Sequence, residues 1–165
     1  MSHGTLIGRG TASGSMLERE KAIFPRAVGR SSGGLELRCV IFARNDDGIV
    51  LVRHRRDPVV RDAWTLPGGP LDYGTSPRES AGRILVHQAG VPAETMRLLT
   101  VESSSQASWT LAFYWDAVIR KAPVAGAGIA ELRVEPIEKC LAEDLDVLAR
   151  MQLERYRVQE LEETA

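Results

Sequence analysis

Residues 69–91 read GPLDYGTSPRESAGRILVHQAGV, and both a helix start and a helix stop are written inside that stretch. Ser76-Pro77-Arg78-Glu79 has the form of a capping box. A hydroxyl accepts from an early backbone amide, proline takes the first helical position where no N–H is needed, and glutamate follows three residues after the cap. Gly90 followed by Val91-Pro92 ends the helix, because glycine closes a last turn in the left-handed conformation and proline does not continue it. The segment therefore predicts a helix from about Pro77 to Ala89. Positions 84, 87 and 88 stand at i, i+3 and i+4 on it and share one face. Upstream, Trp64-Thr65-Leu66-Pro67 leads into Gly68 and Gly69, whose permissive backbone lets a loop turn sharply or lie against a ligand.

The rest of the chain supplies strands and further helices around this unit. Leu35, Leu37, Cys39 and Ile41 alternate with Glu36, Arg38, Val40 and Phe42 in a strand-like run. Asn45-Asp46-Asp47-Gly48 reads as a hairpin turn, and Ile49 to Arg53 returns as a second strand. Asp57 to Asp62 reads as a loop. Met96 to Glu102 and Trp109 to Ile119 read as two further strands that pair as a long hairpin. Ala122 to Ala130 is a flexible loop of small residues by composition, and Glu131 to Pro136 reads as a late strand. From about Pro136 to Glu163, Leu141, Leu145, Leu148 and Leu153 stand among charges, the pattern of one or two terminal helices. Mixed strands with helices on both faces predict an α/β/α sandwich built on a mixed β-sheet.

At 165 residues the chain has the size of one domain with a proper core. Residues 1–30, rich at first in Gly, Ser and Thr, read as a flexible N-terminal tail or arm, and 31–165 as a single domain with a C-terminal helix. Lys and Arg number 21 against 22 Asp and Glu, so no general attraction to nucleic acid or anionic membrane is expected. Cys39 and Cys140 are too few and too far apart for a disulfide framework or a zinc knuckle, and read as reduced core thiols. No apolar stretch approaches a membrane span and the first residues lack the apolar region of a secretion signal, so the expectation is a soluble, cytoplasmic protein.

From Trp64 through Gly69, Arg83, Leu85, Gly90 and Val91 the chain resembles the Nudix superfamily, whose signature is G-x5-E-x7-R-E-U-x-E-E-x-G-U with U a bulky aliphatic residue. The resemblance covers roughly Leu35 to Leu148. It implies the Nudix α/β/α fold, and Glu131-Leu-Arg-Val-Glu-Pro136 is similar to the family's late strand E-x-R-W-x-P, with Val134 in place of tryptophan. Family members cleave a nucleoside diphosphate linked to another group, with divalent cations to neutralise the diphosphate and activate water. At the acidic positions of the signature this chain carries Thr75, Ile84, His87 and Gln88. Magnesium wants octahedral oxygen donors, carboxylates among them. An aliphatic chain, an imidazole and a neutral amide do not supply that set. Arg83, which pairs with glutamates in the family, is left with Asp72 or Glu79.

The candidate site residues follow from this. Arg53 and Arg55, in the basic run 53–56 at the end of the second strand, share a face. Two guanidinium groups there suit a phosphate, and a solvated strand end is the alternative. Gly68 and Gly69 form the ligand-facing loop, and Trp109, beside the polar connection 103–108, is placed to stack on a base or to pack on the sheet. His87, Glu131 and Glu102 are the groups left to act as base or ligand. The leading reading is a degenerate Nudix domain that binds a nucleotide-like or phosphate-bearing ligand, with no metal site and no cofactor expected. The alternatives are a non-standard hydrolase using Glu131, Glu102 or His87 with Mg2+ or Mn2+, and an interaction module, such as a homodimer formed through the C-terminal helix.

Overall fold

The computed structural model describes residues 34–55, 63–105 and 109–164, the side chains of the last helix as far as Val158. The N-terminal arm expected over residues 1–30, Arg56 and the loop expected at 57–62 lie outside the described residues. Among the described residues the sheet has six strands: β1 (Glu36–Asn45), β2 (Gly48–His54), β3 (Gly68–Pro70), β4 (Thr95–Ser104), β5 (Thr110–Val118) and β6 (Ile129–Glu135). The helices among the described residues are α1 (Pro77–Ala89), α2 (Ile137–Ala142) and α3 (Val147–Thr164). No helix among the described residues is long and apolar enough to cross a membrane.

The strand order β4-β5-β1-β2-β6 is mixed, with β1 parallel to β5 and the neighbours on this path otherwise antiparallel. β1 and β2 form the expected hairpin, with Asn45 Oδ1 accepting from the amides of Asp47 at 2.9 Å and Gly48 at 3.2 Å. They pair only beside this turn, at Arg44 with Ile49 and Asn45 with Gly48. Further along they part, and the segment 64–70 fills the gap: Thr65 bridges to Val52, while Gly68 and Gly69 pair with Val40 and Cys39. The glycine pair is thus a strand rather than a free loop. A Cβ on Gly68 would lie 2.8 Å from the Cys39 carbonyl oxygen, so only glycine permits this close approach.

Alternation along the strands sends one set of side chains to each face. Cys39, Ile41, Val50, Val52, Trp115 and Ala117 meet Ala81, Leu85 and Ala89 of α1. On the opposite face Phe42, Leu51, Trp64 and Tyr114 meet Cys140 of α2 and Leu153 and Tyr156 of α3. Each fully buried Ile or Leu among them contributes roughly 1.5–3 kcal/mol. α3 is pinned by more than apolar contact. Tyr156 stacks on Phe42 with centroids 4.6 Å apart, and its hydroxyl donates to the buried Asp116 carboxylate, which also takes the Arg44 guanidinium in a bidentate pair at 2.8 and 3.2 Å.

α1 starts and stops where the sequence says. Ser76 Oγ accepts from the Glu79 amide, Pro77 opens the helix, and Gly90 closes it at φ 68° with its N–H on the Val86 carbonyl. The segment after β5 departs from expectation. Instead of hanging free, it is strapped across the helix end: the Gly126 amide donates to Gln88 O and the Val124 amide to Ala89 O, both at 2.9 Å. These bonds satisfy carbonyls that a helix end leaves without intrahelical partners.

A Cβ on Gly126 would overlap the His87 carbonyl oxygen, whereas one on Gly82, in mid-helix, would meet open space. Gly126→Ala is therefore expected to destabilise the protein by about 1–3 kcal/mol. Gly82→Ala should leave it unchanged or stabilise it by about 0.5–1 kcal/mol. Thermal denaturation of the two variants side by side checks the strap, and equal stabilities would refute it.

Both thiols are buried and unbridged. Burial raises the Cys39 pKa and, with Glu135 nearby, pushes Cys140 up to about 11. The reactive thiolate is therefore scarce at neutral and mildly basic pH. A thiol reagent added at pH 8 should label the folded protein only on the timescale of unfolding, and both cysteines at once in denaturant. Rapid labelling of the native state would show that one of them is open to solvent.

Candidate functional site

The helix face that looks onto the glycine strand is built from Ile84 and Gln88. Ile84 is half-buried and joins the core on that side of the sheet, close enough that a Cβ on Gly69 would lie 3.6 Å from its Cδ1. Gln88 turns its amide onto Gly68, accepting from the Gly68 N–H at 3.0 Å and donating to the Gly68 carbonyl at 2.8 Å. The whole amide is engaged, one bond with each half. Thr75 belongs to the helix start: its hydroxyl donates to the Asp72 carbonyl at 2.9 Å and lies 2.6 Å from Oγ of the fully buried Ser80. Of the two acids expected to take Arg83, the structure selects Asp72, at 2.9 Å.

The candidate acids lie apart. Glu131, on β6, forms an ion pair with Arg53, its neighbour in register on β2. Arg53 also lies over the ring of buried Trp64, 5.1 Å from its centroid, and Arg133 lies over the same ring at 4.6 Å. Glu102 is on β4 and pairs at 2.7 Å with Arg155 of α3, on the sheet face opposite α1. His87 is exposed on α1, beside Arg83 in an open groove of about 740 Å3 between the outer side of that helix and Pro92–Met96. Glu131, Glu102 and His87 therefore do not converge. Among the described residues no group of three His, Cys, Asp or Glu side chains is placed to hold a metal ion. The donor set on the inner face of α1, an alkyl group and a doubly bonded amide, does not fit a hard divalent cation.

The basic pair is also divided. A register shift falls between Arg53 and His54, after which Arg55 donates its amide to Gly128 O at 2.8 Å and its Nε to Ile129 O at 3.2 Å. Arg53 faces a carboxylate and an aromatic ring, while exposed Arg55 has no partner for its terminal guanidinium nitrogens among the described residues. Trp109 is 54% exposed at the start of β5, with its indole N–H on Ser103 Oγ at 2.9 Å, so its ring is a surface aromatic held in place. Two features were missed by the sequence reading. The Gln88–Gly68 bonds carry no local signal, and Arg133 over Trp64 was hidden by the distance between them in the chain.

A NUDIX domain model matches residues 35–156. Among curated proteins, the RNA pyrophosphohydrolase of Cereibacter sphaeroides is 38% identical over 55 residues, 33% of this chain and 33% of that protein, so the likeness spans only about a third of the relative's length. Among solved structures, the NUDIX domain of Shewanella oneidensis NrtR, crystallised with ADP ribose, superposes with a TM-score of 0.65 at 19% identity over 88% of this chain and 98% of that one. The MutT protein from Methanosarcina mazei Go1 does so with a TM-score of 0.67 at 18% identity, over 79% and 99% of the two chains. The match of the family model over most of the chain, on a mixed sheet flanked by α1 and by α2 with α3, makes the conclusion direct: this chain belongs to the NUDIX domain family.

Proposed function

We propose that this Nudix domain binds a nucleotide-like or phosphate-bearing ligand and has little or no ordinary metal-dependent pyrophosphohydrolase activity. The observation that carries the reading is the state of α1. The helix is capped and seated as a Nudix helix, but its inner face is spent on apolar packing by Ile84 and on backbone hydrogen bonds by Gln88. Hydrolysis through Glu131, Glu102 or His87 is the weaker reading. Two of these are ion-paired to arginines, and the three sit on separate parts of the fold.

A nucleotide-like ligand is supported by the similar proteins, one named an RNA pyrophosphohydrolase and one crystallised with ADP ribose. Within this chain, Arg55 offers charge-assisted donors for a phosphate, and Trp109 a ring for stacking. In this reading the protein's own residues bind and orient, and no step of bond cleavage is assigned to them.

A thermal-shift series with nucleotides and dinucleotides, each in EDTA, magnesium and manganese, tests the proposal. A ligand at about a hundred times its dissociation constant stabilises by about 2.7 kcal/mol, and the shift is expected to be the same in EDTA as with metal. Stabilisation that requires metal, accompanied by product release, would return the chain to the hydrolases.

The two arginines should respond differently. Arg55→Ala is expected to weaken binding of the ligand so found by about 1–3 kcal/mol with little change in melting temperature. Arg53→Ala is expected to lower the melting temperature of the free protein, because it strips Glu131 of its partner and Trp64 of a cation over its face. Calorimetric titration and unfolding curves on both variants check this. An Arg55→Ala protein of undiminished affinity would leave that side chain as a solvated strand end.

A further inference from the structure

We propose that Gln88 does at the joint between α1 and β3 what a bridging cation would otherwise have to do, so that this Nudix helix is seated by an internal amide and is one substitution away from needing a metal. The inference rests on the metal-free reading above and says how the joint holds. Gly68 presents a donor and an acceptor toward the helix, its N–H and its carbonyl, and the Gln88 side chain meets the first with Oε1 at 3.0 Å and the second with Nε2 at 2.8 Å. A primary amide of this length satisfies both without an added proton or ion. The assignment of oxygen and nitrogen follows from the backbone, since the reverse would set donor against donor and acceptor against acceptor.

A carboxylate at the same place meets half of this requirement. One oxygen still accepts from the Gly68 N–H, but the other faces the Gly68 carbonyl oxygen at hydrogen-bond distance, two acceptors with nothing between them. Such a pair is stable only with a proton or a cation shared by both oxygens, and a carboxylate with a carbonyl is a donor set for a hard ion. On the same helix face no described side chain supplies that charge. Ile84 is aliphatic, and Arg83 points to Asp72. In this chain the amide N–H stands where the charge would be needed.

The test uses the full chain without nucleotide, so its outcome is separate from that of the ligand reading. Melting temperatures are measured for the wild type, Gln88→Glu and Gln88→Met in EDTA, magnesium and manganese. The wild type is expected to melt at the same temperature in all three. Both variants should melt roughly 3–10 °C lower in EDTA; Gln88→Glu should regain much of the loss with magnesium or manganese, and Gln88→Met none of it.

Three results overturn the proposal: a wild type stabilised by either cation, a Gln88→Glu protein as stable as wild type in EDTA, or a loss in Gln88→Glu that no cation restores. Should Gln88→Glu not fold, amide exchange at Gly68 in the wild type decides. Protection unchanged by EDTA supports the amide bridge, and exchange at the rate of an exposed amide refutes it.

Discussion

Where β1 and β2 part, a third backbone has to enter the sheet, and it enters only because it has no side chain. Gly68 lies against the Cys39 carbonyl at a distance that excludes any Cβ, and Gly69 lies beneath Ile84. The rest of the arrangement depends on that thin strand. It lets Thr65 pair with Val52, places Trp64 under Arg53 and Arg133, and leaves α1 low enough over the sheet for Leu85 and Ala89 to be fully buried and for Gln88 to reach backbone. A residue with a side chain at position 68 would have to push β3 from β1, and with it the helix that follows.

Features that rest on local chemistry were legible in the sequence. The Ser76 cap, Pro77, the Gly90 stop and the Asn45–Gly48 turn all act within a few residues, and the structure places them as read. β3 was not legible, because Gly-Gly-Pro has no strand propensity and is a strand only by virtue of its partner. The segment 122–130 reads as loose for the same reason: its small residues are there to let its backbone lie on the helix end. At the site, Asp72 as the partner of Arg83 was one of two nearby acids. Pairs such as Arg53 with Glu131, set by cross-strand register, and Arg155 with Glu102, 53 residues apart, exist only after folding.

The replacements in the signature also fit together electrostatically. Positions 87 and 88 lie in the last turn of α1, where the helix macrodipole presents its negative end. Carboxylates there are disfavoured by the dipole and by each other, and a bound cation is what offsets both. With an imidazole and an amide in those places the repulsion is absent. The last carbonyls instead receive the amides of Gly90, Val124 and Gly126. Loss of negative charge, an amide bridged to Gly68 and a strap of backbone donors all act at the same end of the same helix. A carboxylate restored at position 88 would bring back a negative charge that these neutral donors offset only in part. Backbone hydrogen bonds to the carbonyls of Val86, Gln88 and Ala89, together with the Gln88 amide on Gly68, hold this helix end without a charged group.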